Sequence, residues 1–224
     1  DMIRVSDDCW DGDWGFVSAK QRGEHKDSWP QYANVFDGMI AFSDLSAKGQ
    51  MILDGDFMRL NKLASQEERK FLYSLMIMGG SALAVADQYD TIGEALEIYQ
   101  NKELIELNNA GFAGKPLSRN VSSKNSSRWV GQLPDGDYIA GLFNREDKAD
   151  VYGIDFVSDL GMETGAASNV RDLWAHKDLG KMSGSYSVQL EPHSCVVLRI
   201  KPKGKQRLQA EFASVRSGAS TSIF

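Results

Sequence analysis

No apolar run in this 224-residue chain approaches the roughly 20 residues that a bilayer-spanning helix needs, so no membrane segment is expected. Basic residues are also in deficit: 25 Lys and Arg stand against 31 Asp and Glu, a formal charge of −6. That balance provides no basic footprint for nucleic acid or anionic lipid, and neutral substrates suit it best. The two cysteines, Cys9 and Cys195, lie far apart; each reads as a free buried thiol rather than half of a disulfide, which leaves the redox compartment open. His25, His176 and His193 have no ligand spacing with the cysteines, and His193 follows Pro192 in a turn, so no zinc site is expected. The acidic run from Asp7 to Asp13 fails as a calcium loop: with ligands at alternate positions Cys9 would be the first of them, and Lys20 stands where the closing glutamate belongs. A nucleotide-binding glycine fingerprint and a paired Ser and His are missing too. What remains is carboxylate chemistry, with no metal and no cofactor.

A 42% hydrophobic and 10% aromatic content is enough for one or two sizeable cores. The stretch Met2 to Trp14 organises the reading. Met2 to Ser6 is short, apolar and β-branched enough for a buried strand, and it breaks into a loop carrying Asp7, Asp8, Asp11 and Asp13 among Trp10 and Trp14. Carboxylates are thereby set at a strand's C-terminal end, which in a parallel βα barrel is the catalytic face. A carboxylate can do acid/base work while a neighbouring tryptophan stacks on the C–H face of a sugar ring. The plainer alternative is an acidic surface loop held by two aromatics.

Arg4-Val5-Ser6-Asp7-Asp8-Cys9-Trp10 resembles the Arg-x-x-x-Asp signature of the sixth barrel strand in the α-galactosidases of glycoside hydrolase family 27. The resemblance implies that Asp8 is the general acid/base, that Arg4 clamps a sugar hydroxyl, and that Asp7 and Trp10 border the substrate. Residues four apart on a strand share a face, so Arg4 and Asp8 could both look into the barrel mouth. The family also carries Asp-Pro-Asp-Met followed by leucine and a glycine loop, its methionine lining the sugar pocket. Met51 is matched to that methionine, with Lys48-Gly49-Gln50 in place of the acidic positions, a departure that bears on sugar preference. The family's nucleophile, an Asp in a Lys-x-Asp type motif, has no counterpart here. It is expected upstream of Asp1, in keeping with a chain that opens straight into a strand and supplies about half a barrel.

Along the chain, Val17 to Arg22 suggests part of a helix, Gly23 to Pro30 a polar turn, and Tyr32 to Phe42 a short helix. Gln50 to Leu53 reads as a strand leading into Asp54-Gly55-Asp56. Ser65-Gln66-Glu67-Glu68 is a capping box opening a helix whose apolar stripe ends at Gly79-Gly80. Ser81 to Ala86 reads as a small-residue strand, followed by Asp87 as a rim carboxylate or a helix cap. Thr91 to Glu94 looks like a second capping box, and Asn101 to Asn109 like a further helix stopped by Gly111. Leu117 to Ser127 has the composition of a linker. Beyond it the pattern changes to alternation, with six strand candidates at Trp129–Val130, Tyr138–Phe143, Val151–Phe156, Asn169–Leu173, Tyr186–Leu190 and Cys195–Ile200. Arg171-Asp172-Leu173-Trp174 and the run from Pro192 to Leu198 resemble the C-terminal sandwich of family 27.

The expected fold is thus α/β plus all-β. The C-terminal half of a (β/α)8 TIM barrel, residues 1–117, precedes an antiparallel β-sandwich over 118–202 and a flexible tail over 203–224. The expected activity is that of a retaining, α-galactosidase-like hydrolase acting on an oligosaccharide or glycoside. Other family activities stay open: α-N-acetylgalactosaminidase, β-L-arabinopyranosidase and release of isomaltose from dextran. The rival from another class is a non-catalytic sugar-binding module using Trp129, Trp174 or Tyr186. The chain alone is expected to be inactive and to expose apolar barrel edges, while the sandwich folds by itself.

Overall fold

Short parallel strands separated by helices carry the first part of the molecule. The computed structural model describes residues 1–6, 29–47 and 49–203, without the side chains of 29–34 and 47. Strand β1 (Met2–Arg4) leads, after residues outside this description, to helix α1 (Trp29–Ala47) and strand β2 (Ile52–Asp54), which pairs parallel with β1 so that Arg4 lies level with Asp54. Only Gly55 and Asp56 separate β2 from β3 (Phe57–Met58), and Asp56 takes a left-handed φ of 74° there. Helix α2 (Gln66–Gly79) follows, and then β4 (Ala84–Val85), parallel to β3. The expected strand over Ser81 to Ala86 is therefore reduced to Ala84 and Val85. Helix α1 is longer than the expected Tyr32–Phe42 and includes Trp29-Pro30, because a proline in the first turn gives up an amide that has no helical partner anyway.

Local capping explains where the helices begin. Ser65 accepts from the Glu68 amide at 3.1 Å, and Glu68 reaches back one residue further than the sequence suggests, to the Ala64 amide at 3.0 Å. Gly80, with φ 67°, closes α2. The second box does not form: Gly93 sits at φ 52° and breaks the turn, so α3 spans only Ala95–Tyr99. Glu94 instead meets Arg69 at 3.4 Å and Gln66 at 3.2 Å. Helix α4 (Lys102–Asn109) starts on Asn101, whose side chain accepts from the Leu104 amide at 3.2 Å.

Eight strands follow. They are β5 (Lys115–Pro116), β6 (Arg128–Gln132), β7 (Tyr138–Phe143), β8 (Asp150–Asp155), β9 (Ala167–Asp172), β10 (Lys177–Ser183), β11 (Ser185–Leu190) and β12 (Cys195–Pro202). One antiparallel sheet runs β10-β9-β12-β7-β6-β5, and β8 pairs with β11 in a second. Strand β10, absent from the sequence reading, is a mostly exposed polar edge bearing Lys177 and Lys181, as sheet edges commonly do. The presumed linker is ordered too: residues Lys124–Ser127 form a 3-10 turn with Ser126 buried, and the Trp129 indole donates to its carbonyl at 3.0 Å.

Both faces of the larger sheet are covered. Toward β8 and β11 it presents Tyr138, Ala140, Leu142, Val170, Leu198 and Ile200, packed with Tyr152, Ile154 and Phe156. Toward the helices it presents Trp129, Ile139, Phe143, Leu173 and Val197, in one cluster with Phe36, Phe71 and Met76. Phe143 stands edge-on to Phe36 and Phe71, with ring centroids 5.4 and 4.9 Å away. This is why β7, Tyr-Ile-Ala-Gly-Leu-Phe, is apolar throughout instead of alternating. Gly131 in β6 is required by the same packing, since a Cβ there would lie 2.4 Å from the Phe112 ring.

Candidate active site

The C-terminal ends of β1 and β2 bring together the one guanidinium and two carboxylates that matter most. Arg4 Nε donates to Asp54 Oδ2 at 3.0 Å, and Arg4 Nη2 lies 3.1 Å from Asp56 Oδ1. Arg4 keeps 41% of its side chain exposed, whereas Asp56 keeps 4%. The carboxylates are fixed from behind. Asp54 Oδ1 accepts from the Asp56 amide at 2.9 Å, Asp56 Oδ1 accepts from the Phe57 amide at 2.8 Å, and the Gly55 amide donates to Ser81 Oγ at 3.2 Å. Proline at position 55 would forfeit that last bond. The result is a planar donor fork locked in orientation at a strand terminus, the arrangement by which a protein holds a polar ligand without reorganising itself.

A second constellation follows β4. The Asp87 carboxylate accepts from the Leu60 amide at 2.9 Å and the Asn61 amide at 3.3 Å, and from the Tyr99 hydroxyl at 2.7 Å. Burial and then the neighbouring Asp87 push the Tyr99 hydroxyl far above its ordinary range, so it stays a donor. Of the two roles considered for Asp87, this is the capping one, although the turn it caps is Leu60–Lys62, distant in sequence.

Of the residues singled out in the sequence, Asp7, Asp8 and Trp10 lie outside the described residues, which stop at Ser6 and resume at Trp29. Arg4 stands where the strand expectation puts it. Met51 does not join it: it precedes β2 and so lies at the opposite end of the strand from Asp54. Sequence reasoning missed Asp54 and Asp56 as partners of Arg4. The signal was present, because Met-Ile-Leu followed by Asp-Gly-Asp repeats the pattern of an apolar strand breaking into acids that drew attention to Asp7 and Asp8. As for the aromatic platform of the rival reading, Trp129 is fully buried, and Trp174 is half-buried, with its indole donating to Ser74 Oγ at 2.8 Å and its ring edge-on to Tyr73. Tyr186 is half-buried as well. Among the described residues, no three His, Cys, Asp or Glu side chains are grouped to hold a metal ion.

Residues 123–200 match the model of the alpha galactosidase C-terminal beta sandwich domain. Isomalto-dextranase of Arthrobacter globiformis is 43% identical over 98% of this chain and 35% of its own length. The α-galactosidase of Cyamopsis tetragonoloba is 24% identical over 83% of this chain and 45% of its own. The solved structure of Arthrobacter globiformis T6 isomalto-dextranase complexed with panose superposes with a TM-score of 0.75 at 39% identity, covering 92% of this chain and 35% of that one. Alpha-galactosidase I from Mortierella vinacea shares the fold, with a TM-score of 0.70 at 19% identity over 89% of this chain and 52% of that one. The chain thus spans between a third and about half of the length of the relatives it matches. It is similar in sequence to an isomalto-dextranase over nearly all its residues and to an α-galactosidase over most of them, and residues 123–200 match the sandwich domain named for the latter.

Proposed function

We infer that this chain is the C-terminal share of a retaining glycosidase that cleaves isomaltose units from dextran-type α-glucans. The observation that carries this reading is the 43% identity with an isomalto-dextranase along almost the entire chain, against 24% for the Cyamopsis tetragonoloba α-galactosidase over a shorter span. In this reading β1, the consecutive strands β2 and β3, and β4 are the last strands of a (β/α)8 barrel made in part by residues 1–117, with the sandwich over 118–202. The half-exposed apolar residues Met2 and Val85, on β1 and β4, support further strands on either side.

Asp8, four residues beyond the end of β1 in sequence, is the general acid/base, and Asp7 and Trp10 border the substrate. Arg4 is the hydroxyl clamp. Asp54-Gly55-Asp56 takes the place of the family's Asp-Pro-Asp, so the acidic pair absent before Met51 is present three residues later, and Met51 leaves the site. The nucleophile comes from outside this chain, about 5 to 5.5 Å from the acid/base as retention requires. Chemistry proceeds by protonation of the glycosidic oxygen as the nucleophile attacks, then by deprotonation of water as the glycosyl ester is hydrolysed.

The test uses the full-length protein. It should release isomaltose from dextran, and Asp8→Asn should slow substrates with poor leaving groups far more than aryl glycosides with good ones. An equal loss on both removes Asp8 from the acid role. The acidic pair at Asp54 and Asp56 favours one second reading, hydrolysis of terminal α-galactosides; turnover of aryl α-galactosides without isomaltose release would establish it instead.

A further inference from the structure

Beside the apolar seam, the helix-facing side of the larger sheet holds a polar groove of about 550 Å3 between α4 and strands β9, β10 and β12. That lies within the roughly 300–1,000 Å3 of small-molecule sites. Register makes its floor unusual. Arg199 of β12 is directly opposite Arg171 of β9, and Lys201 is opposite Asn169, so three cations occupy neighbouring positions on one face. Like charges directly across a pair of strands are destabilising unless compensated. Here carboxylates from other elements compensate them. Glu103 of α4 grips Arg171 with bonds of 2.8 and 3.0 Å, Asp178 of β10 meets it at 3.1 Å, and Asp137 holds Arg199 at 2.6 Å.

Ion pairing that merely docked α4 on the sheet would account for the two arginines but not for Lys201 or Asn169. Among the described residues neither has a side-chain hydrogen bond or ion pair, and both line the groove exposed. Strand β10 bends beside the groove: its register shifts between Asp178 and Gly180, and Gly180 takes a left-handed φ of 91° there. The groove is lined by three cations and three carboxylates. An anion would face the carboxylates, a cation would face Arg171, Arg199 and Lys201, and no aromatic side chain is present for an apolar guest. A polyol satisfies the set, because each hydroxyl donates to a carboxylate and accepts from an N–H.

We propose that this groove is a binding site for a neutral α-glucan segment, with Asn169 and Lys201 as its free donors and the Arg171–Glu103 and Arg199–Asp137 pairs as its rigid walls. The identification of the guest as α-glucan rests on the function inferred above; the polyol chemistry rests on the groove.

Affinity electrophoresis of the full-length protein through gels containing dextran tests it, with Asn169→Ala and Lys201→Ala as variants. Both substitutions should weaken dextran retardation at least fivefold, at unchanged melting temperature and unchanged turnover of an aryl glycoside. Retardation equal to wild type overturns the site, as does a loss that tracks a lowered melting temperature in both variants. Stronger, Lys201-dependent retardation by dextran sulfate than by dextran overturns the neutral guest. The inferred function fails separately. A wild type that is retarded through Asn169 and Lys201 but releases no isomaltose keeps the groove and loses the hydrolase, and a hydrolase whose retardation ignores both residues does the reverse.

Discussion

Tyr99 and Asp87 form the tightest side-chain pair near the strand termini, and removing either partner should be felt. Tyr99→Phe leaves a part-buried carboxylate without its 2.7 Å donor, and hydrogen bonds to charged groups contribute about 1.5–3 kcal/mol. We expect a loss of stability in that range by urea denaturation; a loss below about 0.5 kcal/mol would mean that water replaces the hydroxyl. The pair also sets an alkaline limit. The Tyr99 hydroxyl is held above its unfolded value, so its contribution is fully present below about pH 10 and declines as pH rises further. Cys195 is a quieter residue, its thiol pushed up to about 12 by burial and bonded to Ser74, and it should resist alkylation at pH 8 in the folded state. At this scale the sequence was most readable where a motif closes on itself. Ser65 and Glu68 cap α2 much as their spacing suggests, and Asn101 caps α4. Asp87 could be recognised as a cap but not assigned its turn, because its partners lie 26 and 27 residues away. Met51 was misplaced because the apolar run Met51 to Leu53 does not reveal which end of the strand meets Arg4.

Helix α4 shows how elements are joined by polar groups instead of by apolar area alone. Asn101 accepts from its own helix and donates to the Leu173 carbonyl at 3.0 Å, while Glu103 binds Arg171 and His176. The hydrogen bonds from Arg171 hold the Glu103 carboxyl below the usual glutamate range. A depressed pKa contributes stability above the unfolded value, about 4.3, and that contribution disappears as pH falls through the folded one. Glu103→Gln should therefore be less stable than wild type at pH 7 and approach it at pH 3, as read from urea midpoints at each pH. An equal gap at both would show that shape rather than charge matters there. Element boundaries were legible where apolar periodicity was strong, as in α2 and in β7, β8, β9, β11 and β12. Strand β10 escaped because its sequence, Lys-Asp-Leu-Gly-Lys-Met-Ser, is that of an edge, stabilised by pairing with β9 and not by a buried face. The box at Thr91 misled because Gly93 breaks the turn that a capping box must close.

For the molecule as a whole, the covered sheet decides what can be separated from what. Excising residues 118–202 would remove β5 from the sheet edge and uncover Trp129, Phe143, Leu173 and Val197, which pack against the helices. The structure thereby revises the expectation that the sandwich folds by itself. We expect that fragment to bind a hydrophobic dye and to lack a cooperative melting transition, whereas residues 1–203 retain one. Sharp two-state melting of 118–202 would overturn this. The change of pattern near residue 117 was visible in the sequence, but the second buried face was not, since an apolar strand such as β7 does not announce what lies on either side. Trp129 carries a further consequence. Its ring stands 6.2 Å from Phe36 and edge-on to it, so helices and sheet meet in an interlocking aromatic seam. Swapping in the sandwich of a relative would replace one half of that lock. Chimaeras built for new specificity should consequently be cut within the loops around the strand termini and leave the seam whole, with helices and sheet inherited from one parent.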